Sequence, residues 1–256
     1  MPPPSPQPSP SHRYNVLVSP RDKGTLVHRK RKEQLADQEY DFERIPTTTT
    51  EGRFIKNLLV LYWTLKDFND GQRHIARELP IYGRLGYAVL SGYIDEIRIN
   101  RRTNKIIISE LKTREDESPT RVKNLNDNRL QVSLYACLLT NLKDIDPQLV
   151  CAKGSTKPID GDVPIREDFL SHCPDGVETP IDLLNTIKRL PRIYRSFIEV
   201  EYVYAFFNDD GEISEEPINK EKVHYDESLL LSIIEECLPT LPNISSSVVR
   251  NLSAEF

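Results

Sequence analysis

The sequence predicts an α/β fold in which a mixed central sheet is flanked by helices. Strand-like runs follow one another at residues 74–82, 88–99 and 105–112, and a β-branched and aromatic run stands far downstream at 197–207. Stretches of helical periodicity lie before, between and after these runs.

Residues 23–40, KGTLVHRKRKEQLADQEY, are rich in helix formers and lack Pro, so they read as a strongly charged helix that Pro46 and the four threonines after it interrupt. In residues 51–68, Phe54, Leu58, Leu61, Trp63 and Leu65 give a broad apolar face, and Asn69, Asp70 and Gly71 close the helix. Residues 128–142 resume the spacing, with Leu130, Leu134, Cys137, Leu138 and Leu142 on the apolar side. Residues 144–179 are rich in Pro, Gly and Asp and read as an irregular insertion carrying little of the core. A short helix follows at 183–190, then the run FIEVEYVYAFF at 197–207, the clearest strand of the chain, and a last helix at 226–237.

With 256 residues, 38% of them hydrophobic and 29% charged, the chain suits one large domain. Its boundaries read as a Pro- and Ser-rich tail at 1–19, a domain at 20–238 and a flexible Ser-rich tail at 239–256. The first tail lacks both the apolar stretch of a secretory signal and the Arg-rich character of a transit peptide. No apolar run is long enough to span a bilayer, so a membrane-spanning protein is excluded. The formal net charge of -5 argues against nucleic-acid binding by bulk charge, so any such site must be a local basic surface. The four cysteines, Cys137, Cys151, Cys173 and Cys237, form no CxxC pair and fit a reducing, intracellular compartment.

The densest chemistry lies in SGYIDEIRIN and NKIIISELKT, two runs joined by a polar turn around Arg101 to Asn104. A turn centred between Arg102 and Thr103 sets Asp95 opposite Glu110. Side chains alternate along a strand, so Asp95 shares a face with Ile97 and Ile99, and Glu110 with Ile106, Ile108 and Lys112. Two carboxylates meeting on an apolar face destabilise a sheet unless a cation lies between them. Hard carboxylate oxygens suit Mg²⁺ or Mn²⁺. Lys112 is placed to position a water or to neutralise charge growing on a phosphate. Between Arg98 and Arg129, nine basic residues outnumber five acidic ones, a candidate surface for a phosphate backbone. Tyr82, Tyr87 and Tyr93 are candidates to stack bases, with core packing expected for at least two of them.

Four ordered pieces carry a resemblance: GTLVH from Gly24 to His28, GYIDE with Gly92 and Asp95, SELKTR with Glu110, Lys112 and Arg114, and QVSLY from Gln131 to Tyr135. RELPIY, from Arg77 to Tyr82, stands where a further strand is expected. Together they resemble the RecB-like branch of the PD-(D/E)XK nucleases, and most closely the exonuclease V family, over residues 23–142. The resemblance implies a restriction-endonuclease-like core and a Mg-dependent nuclease acting on single-stranded DNA in DNA repair or genome maintenance. It implies metal binding by Asp95 and Glu110, with the Leu111 carbonyl and His28 as further ligand candidates, and catalysis by Asp95, Glu110 and Lys112. Gln131, Tyr135, Arg114 and Arg129 are the expected DNA contacts, with Gln131 and Tyr135 alternatively bracing Lys112. That family holds an iron-sulfur cluster on one Cys upstream of the core and three near the C-terminus. Here no Cys precedes Cys137 and only Cys237 lies near the end, so no cluster is expected. The expected protein is a monomer of the nucleus or the mitochondrion, with no indicated protein partner. The alternative is an inactive or truncated DNA-binding module of the same fold.

Overall fold

A computed structural model describes residues 19–35, 39–85, 88–100, 102, 105–114, 122–155, 157–190, 196–207, 212–224, 228, 230 and 232. Helix α1 spans Pro20–Glu33; the Ser19 side chain accepts from the Asp22 N–H, and Lys30, Arg31 and Lys32 sit in the last turn, where they complement the helix dipole. It ends earlier than its composition suggests. The chain leaves it for a 3₁₀ turn over Asp41–Arg44, where Phe42 is buried and Tyr40 stacks on it. Helix α2, Thr50–Asn69, is capped by the Thr49 side chain and buries Phe54, Leu58, Leu61 and Leu65, as their spacing requires.

Strands β1 (Ile75–Leu85), β2 (Ala88–Asn100), β3 (Lys105–Arg114), β4 (Ser196–Phe207) and β5 (Ile213–Val223) form one sheet in sequential order. All neighbours are antiparallel except β3 and β4, which run parallel. The parallel pair is joined through α3 (Val122–Thr140), α4 (Pro147–Lys153), α5 (Glu167–Leu170) and α6 (Pro180–Arg189). The result is an α/β architecture with a five-stranded mixed sheet flanked by helices, compatible with a restriction-endonuclease-like core.

Alternation sorts β3 cleanly. Ile106 and Ile108 join the main core with Leu58, Leu59, Val132, Leu138 and Leu183, while Leu111 belongs to a small separate cluster with Val27, Val203 and Ala205 beneath α1. Among the described residues of α1, Val27 is the apolar side chain buried in a core cluster. Polar bonds add to this attachment: Arg31 bonds Glu215 (2.8 Å) and Glu201 (3.2 Å), and Lys30 donates to the Ile213 carbonyl at 2.9 Å. Arg77 on β1 reaches the Arg31 carbonyl and Gln34 as well as Glu96.

Residues 144–179 differ from the expected irregular insertion. They hold α4 and α5 and supply Ile145, Val150, Cys151, Ile159, Ile165, Phe169 and Val177 to the main core. Pro147 opens α4, which buries Val150 and Cys151, and α5 buries Phe169. Strand β5 goes unannounced in the sequence because ISEEPINKEKV is a largely exposed edge strand, with Pro217 tolerated at that edge. Residues 1–18 and 239–256, Cys237 and most of the expected helix at 226–237 lie outside the described residues, although Leu230 is buried in the main core. No helix among the described residues is long and apolar enough to cross a membrane.

Candidate metal centre and catalytic cleft

The hairpin register is the one the turn predicts. Glu96 pairs with Ser109, Ile97 with Ile108 and Asn100 with Lys105, and the ladder ends at Glu96 and Ser109. Past that point the β2–β3 pairing stops while β2 continues against β1, and the Leu111 N–H donates to Asp95 Oδ2 at 2.7 Å. On the other side of β2, the pairs Arg77 with Glu96 and Leu79 with Ile94 bracket Glu78, whose φ is 51°. Left-handed backbone is unfavourable for a side chain like glutamate, by about 1–3 kcal/mol, and residues held so concentrate at functional sites. Here the carboxylate of Glu78 turns towards α1, with Oε1 2.9 Å from His28 Nδ1.

His28 lies one turn beyond Gly24 on α1. A Cβ on Gly24 would stand 3.0 Å from Thr113 Oγ1, so glycine lets this helix close on β3 next to the site. His28 Nδ1 is 3.8 Å from Asp95 Oδ1, and ligand atoms of His28, Glu78 and Asp95 all lie within 4.8 Å of one another.

Glu110 is buried in β3. Its Oε1 accepts from Lys112 Nζ at 2.8 Å, whereas Oε2 is buried with no hydrogen-bond partner among the described residues. Lys112 Nζ also donates to Gln131 Oε1 (2.9 Å), and Gln131 Nε2 donates to the Tyr135 hydroxyl (3.2 Å). Gln131 and Tyr135 sit one helical turn apart on α3, so one face of that helix braces the lysine. A Cβ on Gly92 would come within 2.8 Å of Tyr135 Cε1, so the missing side chain makes room for the ring. Of the two roles weighed for Gln131 and Tyr135, bracing Lys112 is the one with a hydrogen-bond chain behind it.

Burial, then the charge of Glu110, holds the Asp95 carboxyl well above the usual carboxylate range, and His28 offsets this only in part. Glu110 is also raised by burial, against the opposing pull of Lys112. Burial works against a proton on His28, but the Glu78 hydrogen bond and the charges of Asp95, Glu78 and Glu110 outweigh it and raise the imidazole to about 9. The cluster thus carries more negative charge than its surroundings neutralise, and one lone carboxylate oxygen among them is orphaned. A hard divalent cation fits that donor set, carboxylate oxygens with one imidazole. His28, Glu78 and Asp95 are the residues whose ligand atoms converge to hold it, and the unpartnered Oε2 of Glu110 is the further candidate.

Above the cluster opens a cavity of about 410 Å³. His28, Asp95, Glu110, Leu111 and Lys112 line it, as do Gln131 and Tyr135, so seven of the nine sequence-selected site residues meet at one cleft. Arg129 does not: it pairs with Glu221 on β5. The side chain of Arg114 lies outside the described residues. Within the expected basic surface, Arg98 is likewise paired, with Glu96 and Glu199, while Arg102 is exposed. Arg101, Arg121, Tyr87 and the side chain of Lys123 fall outside the described residues. Tyr82 is core, while Tyr93 is 47% exposed. Cys137 is buried and takes a hydrogen bond from Asn141, whereas Cys151 and Cys173 are free thiols that burial pushes up to about 11. Sequence reasoning missed Glu78. Its position inside RELPIY was visible, but nothing in strand alternation announces a positive φ.

No protein-family model matches the chain, and no curated protein does. Among solved structures, the crystal structure of SSO0001 aligns over 88% of this chain and 73% of that one, at 13% identity and a TM-score of 0.29. A likeness that slight bears on neither fold nor function.

Proposed function

We propose that this protein is a Mg²⁺- or Mn²⁺-dependent nuclease that hydrolyses DNA phosphodiester bonds, with single-stranded DNA as the substrate. One observation carries the reading: Glu110 Oε2, buried and without a hydrogen-bond partner, belongs to a carboxylate cluster that lies beside a braced lysine at the floor of a cavity. Asp95 and Glu110, with His28 and Glu78 beside them, are the ligand set. A divalent ion held by these residues would supply Lewis-acid polarisation of the phosphate and a lowered pKa for a water. Lys112, held at its ammonium by Glu110 and Gln131, presents a compact positive charge where negative charge grows on the phosphoryl oxygens. Tyr135 fixes Gln131 and thereby the lysine. The preference for single strands and the exonuclease action rest on the resemblance to the exonuclease V family, and so does the role in DNA repair.

The test is incubation of the purified chain with end-labelled single-stranded DNA in Mg²⁺, in Mn²⁺ and in chelator. Shortened products in either metal and none in chelator are expected. Binding without cleavage in both metals would overturn the enzymatic reading and favour the non-catalytic module.

A further inference from the structure

The cavity above the carboxylate cluster extends to the first half of α2, and that end carries chemistry the hydrolytic centre does not use. Helix α2 is otherwise a core helix, with Phe54, Ile55, Leu58, Leu59 and Leu61 buried. Thr50, Arg53 and Asn57 are spaced three and four apart, so they share one face, and all three line the cavity. Arg53 is exposed and reaches only the Thr48 carbonyl (3.3 Å) and Thr50 Oγ1 (3.5 Å), with no carboxylate partner among the described residues. Also lining the cavity is Tyr93, two residues before Asp95 on β2 and 47% exposed. Asn57 Nδ2 donates to its hydroxyl at 2.7 Å, which pins one edge of the ring. Tyr82, the other tyrosine within reach of Asn57 (3.3 Å), is buried and serves the core.

A carboxylate cluster by itself repels a polyanion, so a strand entering the cleft needs a cation set apart from the metal. An unpaired guanidinium suits a phosphate, to which it can donate two parallel hydrogen bonds. A pinned aromatic ring left half open to water suits a nucleobase, because every base offers a π-face and stacking is tolerant of sequence. Resting on the nuclease reading above, we infer that Tyr93 and Arg53 form a gripping subsite for the nucleotide next to the scissile bond, with the base stacked on Tyr93 and its phosphate on Arg53. Asn57 is the positioning residue that holds the Tyr93 ring. A base in that stack is unpaired, so the subsite takes a single strand.

The experiment is steady-state cleavage of a fluorescein-labelled oligothymidylate by the full chain in Mg²⁺. Tyr93→Ala is expected to raise KM about 10-fold with kcat within about twofold, as loss of one base stack implies. Tyr93→Phe and Tyr93→Trp keep a ring but lose its hydrogen bond from Asn57, so each raises KM less than Tyr93→Ala does. Arg53→Ala raises KM and lowers the slope of log KM against log salt by about 0.7, the value for one phosphate contact on a single strand. Phe207→Ala, which removes an exposed ring at the end of β4, changes neither constant. Cleavage by the parent chain with unchanged KM in Tyr93→Ala and Arg53→Ala overturns the subsite and leaves the nuclease reading standing. So does a Tyr93→Phe that behaves like Tyr93→Ala, or a Tyr93→Ala whose loss is in kcat alone. Absence of both binding and cleavage by the parent chain removes the nuclease reading and the subsite together.

Discussion

Without metal, the proton that His28 shares with Glu78 holds the cluster together, and raising the pH removes it. The imidazole titrates at about 9 in the folded chain against 6.5 for an ordinary histidine. Its folded value is the higher one, so the stabilisation is complete below pH 6.5 and is lost as the pH rises through 9. At 1.36 kcal/mol per pH unit the difference is about 3 kcal/mol, a ceiling because water screens part of the pair. Both side chains keep about 30% of their surface exposed. For a domain of this size about 3 kcal/mol moves Tm by about 6–12 °C. Raised Asp95 and Glu110 act in the same direction at lower pH, since a carboxyl that ionises late in the folded state loses stability as the pH rises through its unfolded value and upward. The assay is thermal melting in chelator across this range, comparing the parent with His28→Gln to subtract every other titrating group. The gap between the two Tm curves should close towards high pH. A gap that stays constant from about pH 6.5 to about pH 9.5 refutes the assignment of the proton to His28.

Asp95→Asn should abolish cleavage while keeping DNA binding, and its Tm in chelator should hold or rise. The amide can still accept from the Leu111 N–H, while a buried charge and its repulsion with Glu110 disappear; parent-like turnover would remove Asp95 from the centre. Lys112→Ala should lower kcat by about 10²–10³ with little change in Mg²⁺ dependence, and Arg should rescue poorly because its planar fork is not a compact charge. If only the apparent DNA affinity changes, Lys112 is a phosphate contact. Chain purified anaerobically should be colourless and keep its Mg²⁺-dependent activity under iron chelation; a brown preparation with stoichiometric iron and sulfide would sink the inference drawn from cysteine spacing.

The site was legible where local rules control it. Turn position yields the observed register from Glu96 and Ser109 to Asn100 and Lys105, and the expected opposition of Asp95 and Glu110 falls one step past the end of that ladder. Gly24 and Gly92 were legible as motif letters, and their reason appears only in three dimensions, as room for Thr113 and for the Tyr135 ring. What failed depends on tertiary partners. A count of basic residues scored Arg98 and Arg129 as free charge, yet Glu199 on β4 and Glu221 on β5 neutralise them. Glu78 could not be read, because alternation assumes extended backbone and its φ of 51° breaks that assumption at the one position that matters. Residues 144–179 were misjudged because their apolar residues sit in short helices and loops too brief to carry a period, although Phe169 and Ile165 are buried in the main core.

The polar attachment of α1 has a consequence for how the centre assembles. A helix seated on grease can slide by a fraction of a turn at small cost, since dispersion is nearly indifferent to direction. A guanidinium fork seated on Glu215 and Glu201 is more directional: displaced, it breaks two part-buried ion pairs, and among the described residues only Glu201 keeps a second cation, Lys220 at 3.6 Å. The expected behaviour of the helix that carries the imidazole is therefore that of a latch, seated or unseated. Hydrogen exchange across Pro20–Glu33 would then collapse onto a single opening event, and a divalent ion would slow that event without touching the exchange of α3.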